Sequence, residues 1–234
     1  MSPRVVLLVS LTIGCAPRGA STVAPAPAAT PVASTIVPEP RIDAAAQLAE
    51  LEQRLLAAER VQLTFDVTAH GVVEAQLRGI LIVERGKVAR IDVSGTFAGV
   101  SGDASMSADA RVVKGTSGTK RFEVARPPEL DAALLIGLVR MGVLHNVALL
   151  WGGRPPDHGE GGVAEWVTTN DHARAELDGG DDGIGFGITV EGQPVGDAKL
   201  VLDASGWPAR REQTVRLPAG EMVVTERYEA VEVK

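Results

Sequence analysis

The sequence predicts an α+β fold: a curved antiparallel sheet of about ten or eleven strands, forming an open, incomplete β-barrel wrapped around or plugged by two helices. Three observations carry this. After residue 60 the apolar period changes from 3.6 to 2, and one segment after another then alternates. The turns between segments are short and rich in Gly or Pro, which joins antiparallel neighbours. Two segments keep helical spacing, one before the first strand and one mid-chain. A long twisted sheet tends to curl, and such helices supply apolar filling for the curl.

The chain begins MSPRVVLLVSLTIGC. Arg4 gives a positive start, residues 5–13 an apolar run, and Gly14 a small residue before Cys15. This resembles a bacterial lipoprotein signal. The resemblance implies that residues 1–14 are removed and that the Cys15 thiol is acylated to become the first residue of the mature chain. Thr12 stands where that signal prefers Leu, with Leu11 one step further out. An ordinary secretory signal or a short membrane anchor is the alternative; the run is shorter than the roughly 20 residues of a spanning helix. Residues 16–40 hold six prolines, many Ala, Ser and Thr, and almost no charge. Such a segment cannot bury enough apolar surface to offset its ordering entropy. Residues 15–42 therefore read as the lipidated cysteine and a disordered tether, and 43–234 as one folded domain.

Asp43 can cap a helix over 44–60, in which Leu48, Leu51, Leu55 and Ala58 form one stripe. In the next segment Val61, Leu63, Phe65 and Val67 alternate with Gln62, Thr64, Asp66 and Thr68, which predicts a half-buried strand. A longer strand over 72–83 carries Leu77, Leu81 and Val83 on one side. Its end, Gly79 to Val83, is apolar on both faces, which predicts cover on both. Residues 84–87 turn the chain. Ile91, Val93 and Phe97 then alternate along 88–97, and shorter strands are expected near 103–113 and 119–125.

Pro127 and Pro128 break the sheet before a helix over 129–146. This helix is apolar nearly all round, with Leu134, Leu138 and Met141 among its residues and only Arg140 interrupting. It reads as a buried core helix or as a helix that lids an apolar cavity. Strands follow near 163–169, 172–178, 184–191, 197–204, 209–217 and 221–233. In the third of these Ile184, Phe186, Ile188 and Val190 face one way. Turns fall at 205–208 and 218–220, where Gly, Pro and Ser gather.

Composition excludes several classes. Net charge is −7, against nucleic-acid partners, whose phosphates need a basic surface. The single cysteine leaves no intramolecular disulfide and no paired-cysteine metal site. No nucleophile elbow, phosphate loop or zinc-protease helix motif occurs, so no enzyme and no cofactor are expected. His70, His145, His158 and His172 are scattered over a turn, a helix end, a loop and a strand start. Residues 157–160 read as a solvated loop and 178–183 as a hairpin turn rather than as metal sites. Glu165, Glu176, Arg210 and Arg211 read as solvated charge on outward faces.

The order of elements resembles the bacterial outer-membrane lipoprotein carrier and receptor family of the Lol pathway, with its relatives among lipid-binding envelope lipoproteins. A Leu-rich helix precedes LTFDVTA. Long hairpins follow, as in RGILIVERGKVARIDV, and a helical insert interrupts the sheet. The closing hairpins turn at Asp203, Gly206, Trp207 and Pro208 and again at Gly220. The resemblance implies an incomplete barrel whose concave face holds acyl chains. Alternation then assigns a groove to Val61, Leu63, Phe65, Val67, Leu77, Leu81, Ile91, Val93, Phe97, Ile184, Phe186 and Ile188, covered by Leu134, Leu138 and Met141. Trp166 is a further aromatic candidate. Ala16, where a retention-type Asp would sit, implies an anchor in the outer membrane facing the periplasm. The expected partners are a lipid or acyl chain, the membrane through the anchor, and another envelope protein. The alternative is a structural or interaction lipoprotein with a filled core.

Overall fold

The computed structural model describes residues 44–156, 167–169, 183–190 and 193–234. Asp43, Cys15, Trp166, His158, His172, Glu165, Glu176, the loop 157–160, the turn at 178–182 and the strand expected over 172–178 lie outside them.

Helix α1 (Ala44–Ala57) buries Leu48, Leu51 and Leu55, the stripe its spacing predicts. It ends three residues early. The Arg85 guanidinium donates to the Ala57 and Ala58 carbonyls, satisfying the helix C-terminus, and Arg60 already opens strand β1 (Arg60–Gly71). Along β1 the residues Val61, Leu63, Phe65, Val67 and Ala69 are buried in strict alternation. Phe65 lies opposite Gly79 in strand β2 (Ala75–Glu84), and its ring covers the glycine: a Cβ there would stand 2.4 Å from the ring. Ile80 and Ile82 are only half-buried on the outer face of β2, so the cover expected on both faces is full on one alone.

The meander continues through β3 (Val88–Phe97), β4 (Val100–Ala108), β5 (Val112–Ser117) and β6 (Lys120–Ala125). The two strands expected between 103 and 125 are three. The Asp109 carboxylate accepts from the Arg111 and Val112 N–H groups at 2.7 and 2.8 Å and forms a turn where continuous strand was expected. Those same two bonds hold its carboxyl below the usual range.

The helix expected over 129–146 is also divided, giving three helices instead of two. Helix α2 (Leu130–Arg140) and helix α3 (Val143–Trp151) meet at Gly142, whose φ of +84° is open to glycine at little cost. Strands β7 (Val167–Thr169), β8 (Gly183–Val190), β9 (Gln193–Leu202), β10 (Pro208–Leu217) and β11 (Gly220–Val233) complete the chain.

All eleven strands form one antiparallel sheet in the order β6-β5-β4-β3-β2-β1-β11-β10-β9-β8-β7. The two ends of the domain thus meet at the centre, where β1 pairs with β11, and among the described strands β6 and β7 are the outermost. The sheet does not close. It curls around the helices, so that side chains from β3, β5 and β8 share one core with all three.

The two ends of this open barrel differ. At one end α1 and α2 cover the strand ends. Arg54 donates to the Ser205 and Gly206 carbonyls and stacks 4.0 Å over Trp207, while the Asp131 carboxylate accepts from Gly86 N–H at 2.8 Å. At the other end the turns at 72–74, 98–99 and 218–219 project. They are neighbours: Val72 N–H donates to the Glu221 carbonyl and Ala98 N–H to the Glu74 carbonyl.

Candidate functional site

A buried polar cluster fixes the joint between α2 and α3. Arg211 on β10 is fully buried, which corrects its expected place on an outward face. Its guanidinium donates to the Val139 and Arg140 carbonyls at 2.7 Å and so caps the negative end of α2. It also packs 4.9 Å from the centre of the Phe186 ring. Glu226 stands directly opposite Arg211 on β11 and is 1 % exposed. Its carboxylate accepts from the Val143 and Leu144 N–H groups at 2.8 and 2.9 Å, capping the positive end of α3. The Tyr228 hydroxyl donates to the same carboxylate. Burial, reinforced by Glu226, raises Tyr228 well above the ordinary tyrosine range, so it stays a donor. Burial pulls Arg211 down, opposed by Tyr228 and Glu226. Gly142 sits against this carboxylate, and a Cβ on it would stand 2.5 Å from Glu226 Oε1.

Past this joint, α3 forms one wall of an apolar cleft of about 500 Å³. Leu144, His145 and Ala148 face it from α3, with Met141 below them. Ile188, Val195, Val215 and Val224 form the sheet wall. Val73, Phe97, Leu217, Pro218 and Met222 surround the opening, at the end where the turns project. Phe97 packs on Trp151, the last residue of α3, with ring centres 5.9 Å apart. The lips are greasy on their outer side as well: Val100 is 61 % exposed and Leu217 40 %. The volume lies within the roughly 300–1,000 Å³ of small-molecule pockets. A wider groove of about 710 Å³ crosses the outer sheet face, but Asp66, Arg78, Asp92, Asp103 and Glu229 line it and give it a mixed, charged lining.

The fifteen predicted groove residues all lie on the concave side or on the helices that fill it. Phe97, Met141 and Ile188 line the cleft. Val61, Leu63, Phe65, Val67, Leu77, Leu81, Ile91, Val93, Leu134, Leu138, Ile184 and Phe186 lie outside it, each at most 3 % exposed, packed between sheet and helices. Sequence reasoning missed Ala148, Gln213, Val215, Val224, Glu226 and Tyr228. The signal was present: Arg211, Gln213 and Val215 share one parity along β10, and Val224, Glu226 and Tyr228 share one along β11. His145, expected at a helix end, lies inside α3 on the cleft wall. His70 is exposed and pairs with Glu74 at 2.9 Å. Among the described residues no group of three metal-ligating side chains gathers, and no helix is long and apolar enough to cross a membrane.

No family model and no curated protein matches this chain. It is similar to a number of solved structures, among them the following three. A LolA superfamily protein from Nitrosomonas europaea is 9 % identical, over 82 % of this chain and 94 % of that one, with a TM-score of 0.42. LprF from Mycobacterium bovis is 10 % identical, over 80 % and 93 %, at 0.37. A DUF1329 family protein from Desulfovibrio piger is 6 % identical, over 82 % and 92 %, at 0.29. The first bears the name of the carrier family whose element order the sequence resembles; at these scores the likenesses carry no argument about the site.

Proposed function

We propose that this chain is a non-enzymatic, lipid-anchored binding protein of the cell envelope that holds a lipid or lipoprotein acyl chain in the cleft beside α3. The observation that carries the reading is the cleft itself: apolar walls, an open mouth and exposed apolar lips at one end of the barrel. Each methylene moved from water into such a site contributes about 0.8 kcal/mol. The mechanism is partition, with α3 and its neighbouring turns as the wall that yields, and no side chain acts chemically. Acylation of Cys15 would tether the chain to a bilayer. The outer membrane facing the periplasm is the proposed site of the anchor, and passage of lipid or lipoprotein to that membrane the proposed role.

Protein purified without residues 1–42 is expected to carry lipid, detected by mass spectrometry of an organic extract. Clean protein that also ignores a neutral apolar dye, N-phenyl-1-naphthylamine, would contradict the reading. The packed half of the barrel below α3 favours a second reading in that event. The chain would then be a tethered envelope module that works through its outer surface.

A further inference from the structure

Gln213 is the most enclosed polar side chain in the cleft lining, at 8 % exposed. By register it lies at the inner end: it pairs with Val224 across the sheet, four residues below Leu217 at the lip. At about 3.4 Å per residue this puts it some 14 Å along the strand from the lip. Its orientation is set from behind. Arg211 donates to Oε1 through Nε at 3.0 Å and through a terminal nitrogen at 2.9 Å, so the oxygen must face the guanidinium. The other end of the amide, Nε2, donates to no atom among the described residues. Nε2 is open to the cleft, so an occupant that covers it without offering an acceptor forfeits about 1–3 kcal/mol, which an oxygen acceptor restores. The guanidinium in the lining does not invite an anion. Arg216 stands at the lip, 3.2 Å from Asp197 and 3.8 Å from Glu221, already matched by two carboxylates.

We infer that Gln213 is a specificity-determining residue whose Nε2 donates to an uncharged oxygen acceptor, such as an ester or amide carbonyl, at the inner end of an aliphatic occupant. The inference rests on the acyl-binding reading above. The test displaces N-phenyl-1-naphthylamine with decane and with methyl decanoate. The native protein should prefer the ester by about fivefold, within the roughly 2- to 12-fold of one neutral hydrogen bond. Gln213→Glu keeps an oxygen for Arg211 and replaces the free donor with an acceptor. It should lose the ester preference, read as the ratio of the two affinities in the folded variant, whatever its affinity for decane. Equal binding of ester and alkane by the native protein, or a preference that survives Gln213→Glu, would overturn the inference and leave the acyl-binding reading standing. Failure of both ligands and the dye to bind would overturn both.

Discussion

Glu226→Leu is expected to destabilise the domain by about 3 kcal/mol or more, because three buried donors lose their acceptor at about 1–3 kcal/mol each. The substitution strips the cap from α3, leaving the Val143 and Leu144 N–H groups without acceptors. It leaves the Tyr228 hydroxyl without its partner and the buried Arg211 without the carboxylate opposite it. Denaturant unfolding measures the change as a shift in midpoint at constant slope. Glu226→Gln should cost less, because one oxygen remains to accept. A loss below about 1 kcal/mol for Glu226→Leu, the size of an ordinary surface cap, would mean that the carboxylate does not hold the joint.

Ala148→Trp is expected to weaken binding of N-phenyl-1-naphthylamine by about tenfold or more, with little change in melting temperature. Ala148 is half-buried and faces the cleft from the middle of α3, so an indole there extends into open volume and does not press on packed core. Excluding only two methylenes' worth of contact forfeits about 1.6 kcal/mol, more than the 1.4 kcal/mol of a tenfold change. Fluorescence titration of both proteins reads the ratio. Unchanged affinity in a folded variant would place the dye elsewhere.

Much of this architecture is legible in the sequence because period-two alternation is strong where one face is buried. The parity of Val61 to Val67 is the parity of burial in the structure, and Ile184, Phe186 and Ile188 are all buried, with Gly185 buried between the first two. The break between α2 and α3 is less legible. Gly142 sits in a run apolar enough to continue a helix, and what stops it is a carboxylate 84 residues further on. Arg211 was misplaced for a related reason. Its charge argues for solvent, and the two carbonyls of α2, the neighbouring Gln213 oxygen, the Phe186 ring and the Glu226 carboxylate opposite offset its burial. The cleft is harder still to foresee. The apolar residues that alternate most cleanly fill the core, whereas the cleft lies among mouth residues such as Val73, Leu217 and Met222, whose apolar character carries no period.

A photoreactive acyl ester, irradiated on the purified protein and located by peptide mass spectrometry, tests the binding site directly. Adducts on Met141, Leu144, Met222 or their immediate neighbours are the expected result. Labelling confined to the outer sheet face around Arg78 and Asp92, or none above the unirradiated control, would contradict an acyl site beside α3.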